Sequence, residues 1–345
     1  MRRCLQLAEL GIESVAPNPM VGAVLVFQDR IIAEGYHAIY GGPHAEVDCL
    51  NKVREEDRSI IEQSTLYVSL EPCDHHGKTP PCTDLILQSK IPRVVIGAKD
   101  VSEKVNGKGV NKLREHGVEV VEGCLEQEAT EMNRRFFTFH RLHRPYVILK
   151  WAQSSDGFIG KAEATTKISN AYTDKLVHQW RSEEGAILVG TQTALTDNPL
   201  LTVRHREGKN PLRVLLDLQL KVPDSYRIFN DEAPTLIFNR KEASILGTNT
   251  RILISTDADL LYQVMQELHQ RNILSLIVEG GARTLQTFIA AGLWDEARII
   301  TNPSLMLQEG ISAPVMTGYP SSKEIILQED KIRFIRNTHF IKSPH

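Results

Sequence analysis

Residues 65–82 read TLYVSLEPCDHHGKTPPC, and this stretch decides the fold class of the first half of the chain. Its first six residues are mainly β-branched, aromatic or apolar, which predicts a strand. A polar loop follows it. Around this stretch the sequence predicts a hairpin, two further strands and three helices, over residues 21–33, 93–98, 118–121, 45–55, 82–90 and 109–116. Strands that alternate with helices predict a largely parallel sheet covered on both faces, an α/β/α domain.

The loop contains Cys73 and Cys82, each directly after a proline, and His44-Ala45-Glu46 stands where the helix over 45–55 is predicted to begin. One imidazole and two thiolates suit zinc and leave the fourth tetrahedral position to water. Zinc lowers the pKa of that water from ~15.7 toward ~7, so that hydroxide can attack an electron-poor ring carbon. Glu46 is the predicted catalytic residue, which takes the water's proton and delivers it to the ring nitrogen and the departing amine. This arrangement is the signature of zinc deaminases, and it predicts such an enzyme for a small pyrimidine-type amine.

A structural zinc site is the alternative interpretation of the same residues. Structural sites are normally closed by four protein ligands, and His75 and His76 are the local candidates for the fourth. The other cysteines, Cys4, Cys49 and Cys124, stand in apolar contexts where a thiol behaves as a small hydrophobic group. Five cysteines, an odd number, argue against a disulfide framework.

The composition indicates a packed enzyme of two domains, because 345 residues exceed one ordinary hydrophobic core. Forty Lys plus Arg against forty-three Asp plus Glu leave a net charge of −3, which disfavours binding to nucleic acid or to an anionic membrane. No stretch predicts a secretory signal or a membrane span. We therefore expect a cytoplasmic protein, and the sequence is compatible with a homo-oligomer.

The polar segment 140–145 ends in proline and precedes a new apolar strand, so the boundary is predicted there. The first domain is predicted over residues 1–143, closed by an amphipathic segment at 126–140, and the second over 144–345. In the second domain, strands and helices alternate again and predict another α/β domain. Its predicted strands are 146–150, 186–189, 212–217, 235–238, 251–254, 274–278, 333–336 and 339–341, and its helices 171–184, 260–272 and 283–291.

Several motifs resemble the bifunctional deaminase/reductase family of riboflavin biosynthesis. In the first half they are Asn18-Pro-Met-Val-Gly22, Gly35-Tyr-His37, His44-Ala-Glu46 and the long Glu71-to-Cys82 loop with its Gly-Lys-Thr-Pro-Pro run. In the second half they are Lys150, Ser154-Ser-Asp-Gly157, Thr196-Asp-Asn-Pro199, Leu201-Thr-Val-Arg204 and Val278-Glu-Gly-Gly281.

The resemblance implies a cytidine-deaminase-like domain followed by a dihydrofolate-reductase-like domain. It implies one Zn²⁺ per chain, NADPH, and a small phosphorylated pyrimidine as the substrate. The first domain would remove the C2 amine of 2,5-diamino-6-ribosylamino-4(3H)-pyrimidinone 5′-phosphate. The second would reduce C1′ of the ribosyl group to give a ribityl chain.

The resemblance also assigns binding residues. The substrate of the deaminase would contact Asn18, His37, Lys78, Thr79 and Asp100. The substrate of the reductase would contact Thr165, Arg181, Leu201, Arg204 and Glu279. The cofactor would contact Ala152, Lys167, Thr193, Asp197, Gly281, Ala282, Arg283 and Thr284. From the residues alone, Gly280-Gly281 between a strand and a helix is either a tight turn or a turn that binds the cofactor phosphate.

Four features depart from the family pattern. Lys167-Ile-Ser-Asn170 stands where the family has a Trp-Ile-Thr-Ser segment, which removes an aromatic residue near the nicotinamide. Asp100-Val-Ser-Glu103 replaces an Asp-Pro-Asn-Pro motif, and Ser155 replaces a leucine. The chain also begins inside a predicted helix, as if a few residues preceded it.

Two other functions fit part of the pattern. A polynucleotide deaminase would share the zinc residues but would need a basic face. A binding protein with a decayed reductase half would release ammonia without oxidising NADPH.

Overall fold

The computed structural model describes residues 1–75, 80–102, 105–161, 165–255 and 259–337. The chain divides into two compact units, Met1–His143 and Arg144–His345. Within the described residues, no helix is both long enough and apolar enough to cross a membrane.

The first unit is a five-stranded sheet with helices on both faces. Its strands are β1 (Gly22–Phe27), β2 (Arg30–Tyr36), β3 (Thr65–Leu70), β4 (Arg93–Ala98) and β5 (Glu119–Val121). Its helices are α1 (Arg2–Glu9), α2 (Ala45–Asn51), α3 (Cys82–Gln88), α4 (Lys108–Glu115), α5 (Glu126–Met132) and α6 (Arg134–Leu142), with a 3₁₀ helix at Glu55–Gln63.

The strand order is β2-β1-β3-β4-β5, and the sheet is mixed. The pairs β1/β2 and β1/β3 are antiparallel, whereas β3/β4 and β4/β5 are parallel. The expectation of a largely parallel sheet was therefore wrong for the hairpin half. The hairpin reverses the chain, so that β1 enters the sheet against the direction of β3.

Alternate residues of the central strands face two different helical layers. Leu25, Leu66 and Val94 pack with α2, α3 and α4 on one face. On the other face Val24 packs with Cys4 and Leu7 of α1. Burial raises the pKa of Cys4 to about 11, so this thiol stays neutral inside the core, as does that of Cys49.

The second unit contains a ten-stranded sheet in the order β11-β12-β10-β9-β8-β13-β6-β14-β17-β16, and a two-stranded sheet of β15 and β7. Its strands are β6 (Tyr146–Ser154), β7 (Phe158–Gly160), β8 (Ala186–Gly190), β9 (Leu212–Leu216), β10 (Thr235–Asn239), β11 (Ser244–Leu246), β12 (Asn249–Leu253), β13 (Ser275–Val278), β14 (Glu296–Asn302), β15 (Ile311–Ser312), β16 (Ser321–Leu327) and β17 (Asp330–Arg336). Its helices are α7 (Ala171–Glu183), α8 (Thr191–Asp197), α9 (Leu260–Gln270) and α10 (Ala282–Ala290), with a 3₁₀ helix at Arg227–Phe229.

The central strands of this sheet, from β12 to β14, run parallel to one another. Val147 and Leu149 pack on one face with α9 and α10. Ile148 packs on the other face with α7 and α8. The inner strands β6, β8, β9, β10 and β13 are largely buried on both faces, which explains why these segments are mainly apolar in the sequence, whereas β12 is only partly buried.

Several elements differ from the sequence-based expectations. The amphipathic segment at 126–140 is two helices separated at Asn133, whose side chain bonds both the N–H and the carbonyl of Met20 at 2.8 Å. The two 3₁₀ helices, helix α8 and the short strands β7, β11 and β15 were not predicted. The strand expected at 339–341 lies outside the described residues.

Candidate active sites

In the first unit, three element ends bring the predicted metal ligands together. His44 immediately precedes α2 in an extended conformation, Cys73 follows the end of β3, and Cys82 is the first residue of α3. Their ligand atoms all lie within 4.8 Å of one another, the one such group in the part of the chain that the structure describes. His44 Nδ1 is 3.3 Å from Cys82 Sγ and 3.5 Å from Cys73 Sγ.

The chemistry of these side chains fits a zinc ion. A hydrogen bond from Cys82 lowers the pKa of Cys73 to about 4 against the opposing effect of burial, and His44 lowers it further. The contact with Cys73 and burial raise the pKa of Cys82. The two thiols therefore share one proton, and a divalent cation would displace it. With three protein ligands the site leaves a fourth position open, as a catalytic zinc site does.

Glu46 lies in the first turn of α2, two residues from His44, and its side chain is buried. Burial and the neighbouring Cys73 raise the pKa of Glu46, while His44 opposes the shift. A raised pKa moves a carboxyl group toward the pH at which the enzyme works, which suits proton transfer.

Two of the predicted substrate residues are hydrogen-bonded to each other beside the metal ligands. His37 donates from Nδ1 to the Pro43 carbonyl at 2.8 Å, which leaves Nε2 to accept from Asn18 Nδ2 at 3.0 Å. Burial lowers the pKa of His37, so the ring stays neutral. The rings of His37 and His44 are 5.4 Å apart. This pair forms a fixed polar wall next to the metal ligands.

The other predicted residues of the first site are less well defined. Asp100 is buried, and its carboxylate accepts the Ser102 N–H at 2.6 Å. Burial raises the pKa of Asp100, with Glu71 and Cys73 adding to the shift. Lys78 and Thr79 lie outside the described residues.

In the second unit, a cavity of about 1040 Å³ opens at the carboxyl ends of β6, β8, β9 and β13. The carboxyl edge of a parallel sheet is where open α/β folds bind ligands. We call this cavity the reductase cleft. All eight predicted cofactor residues line it, together with Thr165 and Glu279: Ala152, Lys167, Thr193, Asp197, Gly281, Ala282, Arg283 and Thr284.

The Gly280-Gly281 turn gives the cleft a phosphate-binding end. A Cβ on Gly280 would lie 2.5 Å from Val189 Cα, so only glycine allows β13 and β8 to approach this closely. Gly281 has φ of 53° and directly precedes α10, where no side chain caps the helix. The first N–H groups of α10 are therefore available to the phosphates of a dinucleotide. These features fit NADPH.

Glu279 forms a buried cluster with two cations at the same end of the cleft. Arg181 Nε and Nη2 donate to its two oxygens at 2.9 and 2.8 Å, and Lys150 Nζ lies 3.6 Å from Oε2. Burial opposes ionisation of Glu279, but the charges of Arg181 and Lys150 outweigh it and lower its pKa to about 2. Arg181, which was expected to contact the phosphorylated substrate, thus binds Glu279 through two of its N–H groups.

The remaining predicted substrate residues, Leu201 and Arg204, are not among the described residues that line the cleft. Leu201 is buried in the core with φ of 57°. Arg204 is exposed, and its N–H donates to Nδ1 of the buried His178 at 3.3 Å. Burial and the charges of Arg181, Arg204 and His205 lower the pKa of His178 to about 4, so it remains a neutral acceptor.

Lys150 received no specific role from the sequence. Its signal is a charged residue inside the otherwise apolar run Tyr146-Val-Ile-Leu-Lys-Trp151. Asp197 and Thr165 were expected to contact different ligands, but Thr165 Oγ1 donates to Asp197 Oδ1 at 3.2 Å. Burial raises the pKa of Asp197.

Residues 1–98 match the cytidine and deoxycytidylate deaminase zinc-binding region, and residues 145–336 match the RibD C-terminal domain. The riboflavin biosynthesis protein RibD of Aquifex aeolicus is 41% identical over 319 residues, covering 90% of this chain and 88% of that protein. RibD of Bacillus amyloliquefaciens is 38% identical, covering 94% of this chain and 90% of that protein. The crystal structure of a diaminohydroxyphosphoribosylaminopyrimidine deaminase/5-amino-6-(5-phosphoribosylamino)uracil reductase from Thermotoga maritima has a TM-score of 0.89 at 36% identity, with 97% of each chain covered.

The fold and the two sites define a zinc-dependent deaminase joined to a reductase. The chain belongs to the RibD family of riboflavin biosynthesis proteins. It is accordingly a bifunctional enzyme of riboflavin biosynthesis, which deaminates and then reduces a small phosphorylated substrate and uses Zn²⁺ and NADPH. The predictions of α/β domains, enzyme class and cofactors are confirmed.

Proposed function

We propose that the chain converts 2,5-diamino-6-ribosylamino-4(3H)-pyrimidinone 5′-phosphate in two steps. The unit 1–143 removes the C2 amine, and the unit 144–345 reduces C1′ of the opened ribosyl group to the ribityl product. The observation that carries the proposal is the grouping of His44, Cys73 and Cys82 around one point beside the buried Glu46. The Thermotoga maritima protein whose structure is so similar has both activities in its name.

In the deaminase unit, His44, Cys73 and Cys82 would hold the zinc ion. A zinc ion in an open site supplies a water of lowered pKa as the nucleophile. Glu46 has the position and the raised pKa of a proton carrier, which accepts the water's proton and passes it to the ring nitrogen and the leaving amine. The water oxygen stays on the ring carbon, and nitrogen leaves as ammonia.

Asn18 and His37 would hold the edge of the pyrimidine ring. Their mutual hydrogen bond and the His37–Pro43 bond fix both side chains before the substrate arrives, which reduces the entropy lost on binding. We assign Asp100, Lys78 and Thr79 to the same substrate from the family motif alone.

In the reductase unit, the residues of the cleft would bind NADPH with its phosphates at the start of α10. The cofactor supplies a hydride when bound. Lys150 places a positive charge at the cleft beside Glu279. There it can stabilise the ribose ring oxygen as the bond from that oxygen to C1′ breaks, and give the oxygen the proton of the new hydroxyl, while C1′ accepts the hydride. Thr165 and Glu279 line the cleft and would contact the phosphorylated substrate. We assign Arg181, Leu201 and Arg204 to the same substrate from the family motif alone.

We further infer that the enzyme works in the cytoplasm and binds no nucleic acid. The near-neutral charge balance supports the second inference. The buried neutral thiols of Cys4 and Cys49 suit a reducing compartment.

Two assays on the purified chain test the proposal. Ammonia release from the diamino substrate should require zinc and Glu46, and loss of NADPH absorbance should require the deaminated ribosylamino product. Glu46→Gln should abolish the first reaction and leave the second intact when the deaminated compound is supplied. Ammonia release without any NADPH oxidation would instead identify a monofunctional deaminase with a decayed reductase half.

A further inference from the structure

The two cysteine ligands are separated by eight residues, and this spacing raises the question of what fixes their distance. In a Cys-x-x-Cys motif both thiols can be carried by one turn of the same helix. Here only Cys82 belongs to a helix, α3, whereas Cys73 follows a strand. A longer loop closes less favourably, so the two ends need additional contacts to stay together.

A set of polar contacts joins the loop ends through one lysine. Asp74, the residue after Cys73, accepts from Thr83 Oγ1 at 2.8 Å and from Lys112 Nζ at 2.6 Å. The same Lys112 nitrogen lies 2.7 Å from Asp84 Oδ1, two residues past Cys82. We call Asp74, Thr83, Asp84 and Lys112 the Lys112 cluster. One ammonium group thus connects the chain just beyond each thiol ligand.

Helix α4, which carries Lys112, is itself fixed against the first loop end. The buried Glu71, two residues before Cys73, accepts N–H groups from Gly107 at 3.0 Å and from Val110 at 3.2 Å. A Cβ on Gly109 would lie 2.0 Å from the Pro72 carbonyl oxygen, so the helix backbone lies directly against the ligand loop. Lys112 is therefore attached to a helix whose position relative to Cys73 is already set.

We propose that Lys112 is a positioning residue of the metal centre, which holds Cys73 and Cys82 at coordinating distance although eight residues separate them. The proposal rests on the proposed function in one respect, that these thiols hold zinc. The cluster would keep two hydrogen bonds between the loop ends in place. The Thr83 N–H donates to the Cys73 carbonyl at 3.2 Å, and the Cys82 N–H donates to Cys73 Sγ at 3.4 Å. The three charged side chains of the cluster are 21 to 34% exposed, so the attraction between them should weaken with salt.

The test is the rate at which zinc passes from the purified chain to a coloured chelator. Side chains that orient metal ligands typically change metal affinity 10–100-fold when removed. Because Lys112 acts through the residues next to the ligands, we expect Lys112→Met to release zinc about tenfold faster, at the lower end of that range. Added salt should accelerate release from the parent chain and have little effect on the variant. Lys112→Arg, which keeps the charge, should restore most of the retention.

Lys90→Met is the matched control. Lys90 Nζ also forms an ion pair in the first unit, at 2.9 Å from Glu62 Oε1, but among the described residues this pair does not include a neighbour of a metal ligand. It should release zinc at the parent rate. Should Lys112→Met fail to fold, Asp84→Asn removes one of the two ion pairs and carries the same test.

Three results would overturn the proposal. Release from Lys112→Met at the parent rate is one, and equal acceleration in Lys90→Met is another. The third concerns thermal unfolding. If Lys112→Met lowered the midpoint of the zinc-free chain as much as it lowered that of the zinc-bound chain, the role of Lys112 would be merely structural. A parent chain that binds no zinc at all would refute the proposed function instead.

Discussion

The metal centre takes its chemical groups from two short motifs, His44-Ala-Glu46 and the 73–82 loop, whereas the reductase cleft is lined by residues between Lys150 and Ile311. At the metal centre, each of three side chains would bind the zinc ion directly. In the cleft, eight predicted cofactor residues and two predicted substrate residues line the cavity, and each would contribute only part of the binding free energy. We therefore expect single substitutions to abolish function at the metal centre and to reduce it by degrees at the cleft.

The largest effect should come from Cys73→Ala. It removes one of the three protein ligands, and the two that remain rarely retain zinc. Zinc content should fall to background and ammonia release by several orders of magnitude. Elemental analysis and an ammonia assay measure both, with reduction of the deaminated substrate as the internal control. If Cys73→Ala retained its zinc, the metal would have to be bound by other residues.

Glu46→Gln should separate the proton carrier from the ligands. Zinc should stay bound, because His44, Cys73 and Cys82 are untouched, while ammonia release falls about 10²–10⁴-fold, the usual contribution of a positioned acid-base group. Zinc loss in this variant would show that Glu46 supports the metal and has been assigned to the wrong role.

Sequence alone could locate the metal centre because its residue types and spacing are fixed by coordination chemistry. The same reasoning could not show that Arg181 binds Glu279, because the two stand on α7 and after β13, far apart in the chain. The strands were predicted from their apolar runs, and their parallel arrangement from their alternation with helices. The antiparallel pairing of β1 with β3 was not predicted, because a hydrophobic pattern indicates which residues are buried and not the direction in which a strand runs.

Glu279→Gln tests the cleft at the buried cluster where Glu279 pairs with Arg181 and Lys150. Removing the carboxylate leaves the buried Arg181 and the nearby Lys150 without their counter-charge, which costs about 3–5 kcal/mol when a buried pair is broken. The free energy of unfolding in urea should fall by that amount, and the rate of reduction should fall without being abolished. Gln179, which bonds Glu183 on the exposed side of α7, offers a control in Gln179→Ala, where little change is expected.

Acid gives a graded version of this test. The folded-state pKa of Glu279 is lowered from 4.5 to about 2, so its ionised form stabilises the fold above the unfolded value. That stabilisation is fully present above pH of about 4.5 and is lost as the pH falls toward 2. The difference in unfolding free energy between the parent chain and Glu279→Gln should therefore narrow over this interval. A difference that stays constant over this interval would mean that the pKa of Glu279 is not lowered in the folded state.

The smallest effect should follow changes at Lys167, where the family has an aromatic residue. Its side chain is 71% exposed and forms a 3.2 Å ion pair with Asp174, and such exposed pairs contribute little. Lys167→Ala should weaken NADPH binding less than about fivefold. Lys167→Trp should strengthen it about two- to tenfold if the ring stacks on the nicotinamide. Fluorescence titration with NADPH measures both. A loss greater than tenfold in Lys167→Ala would show that the cleft, like the metal centre, depends on a single residue.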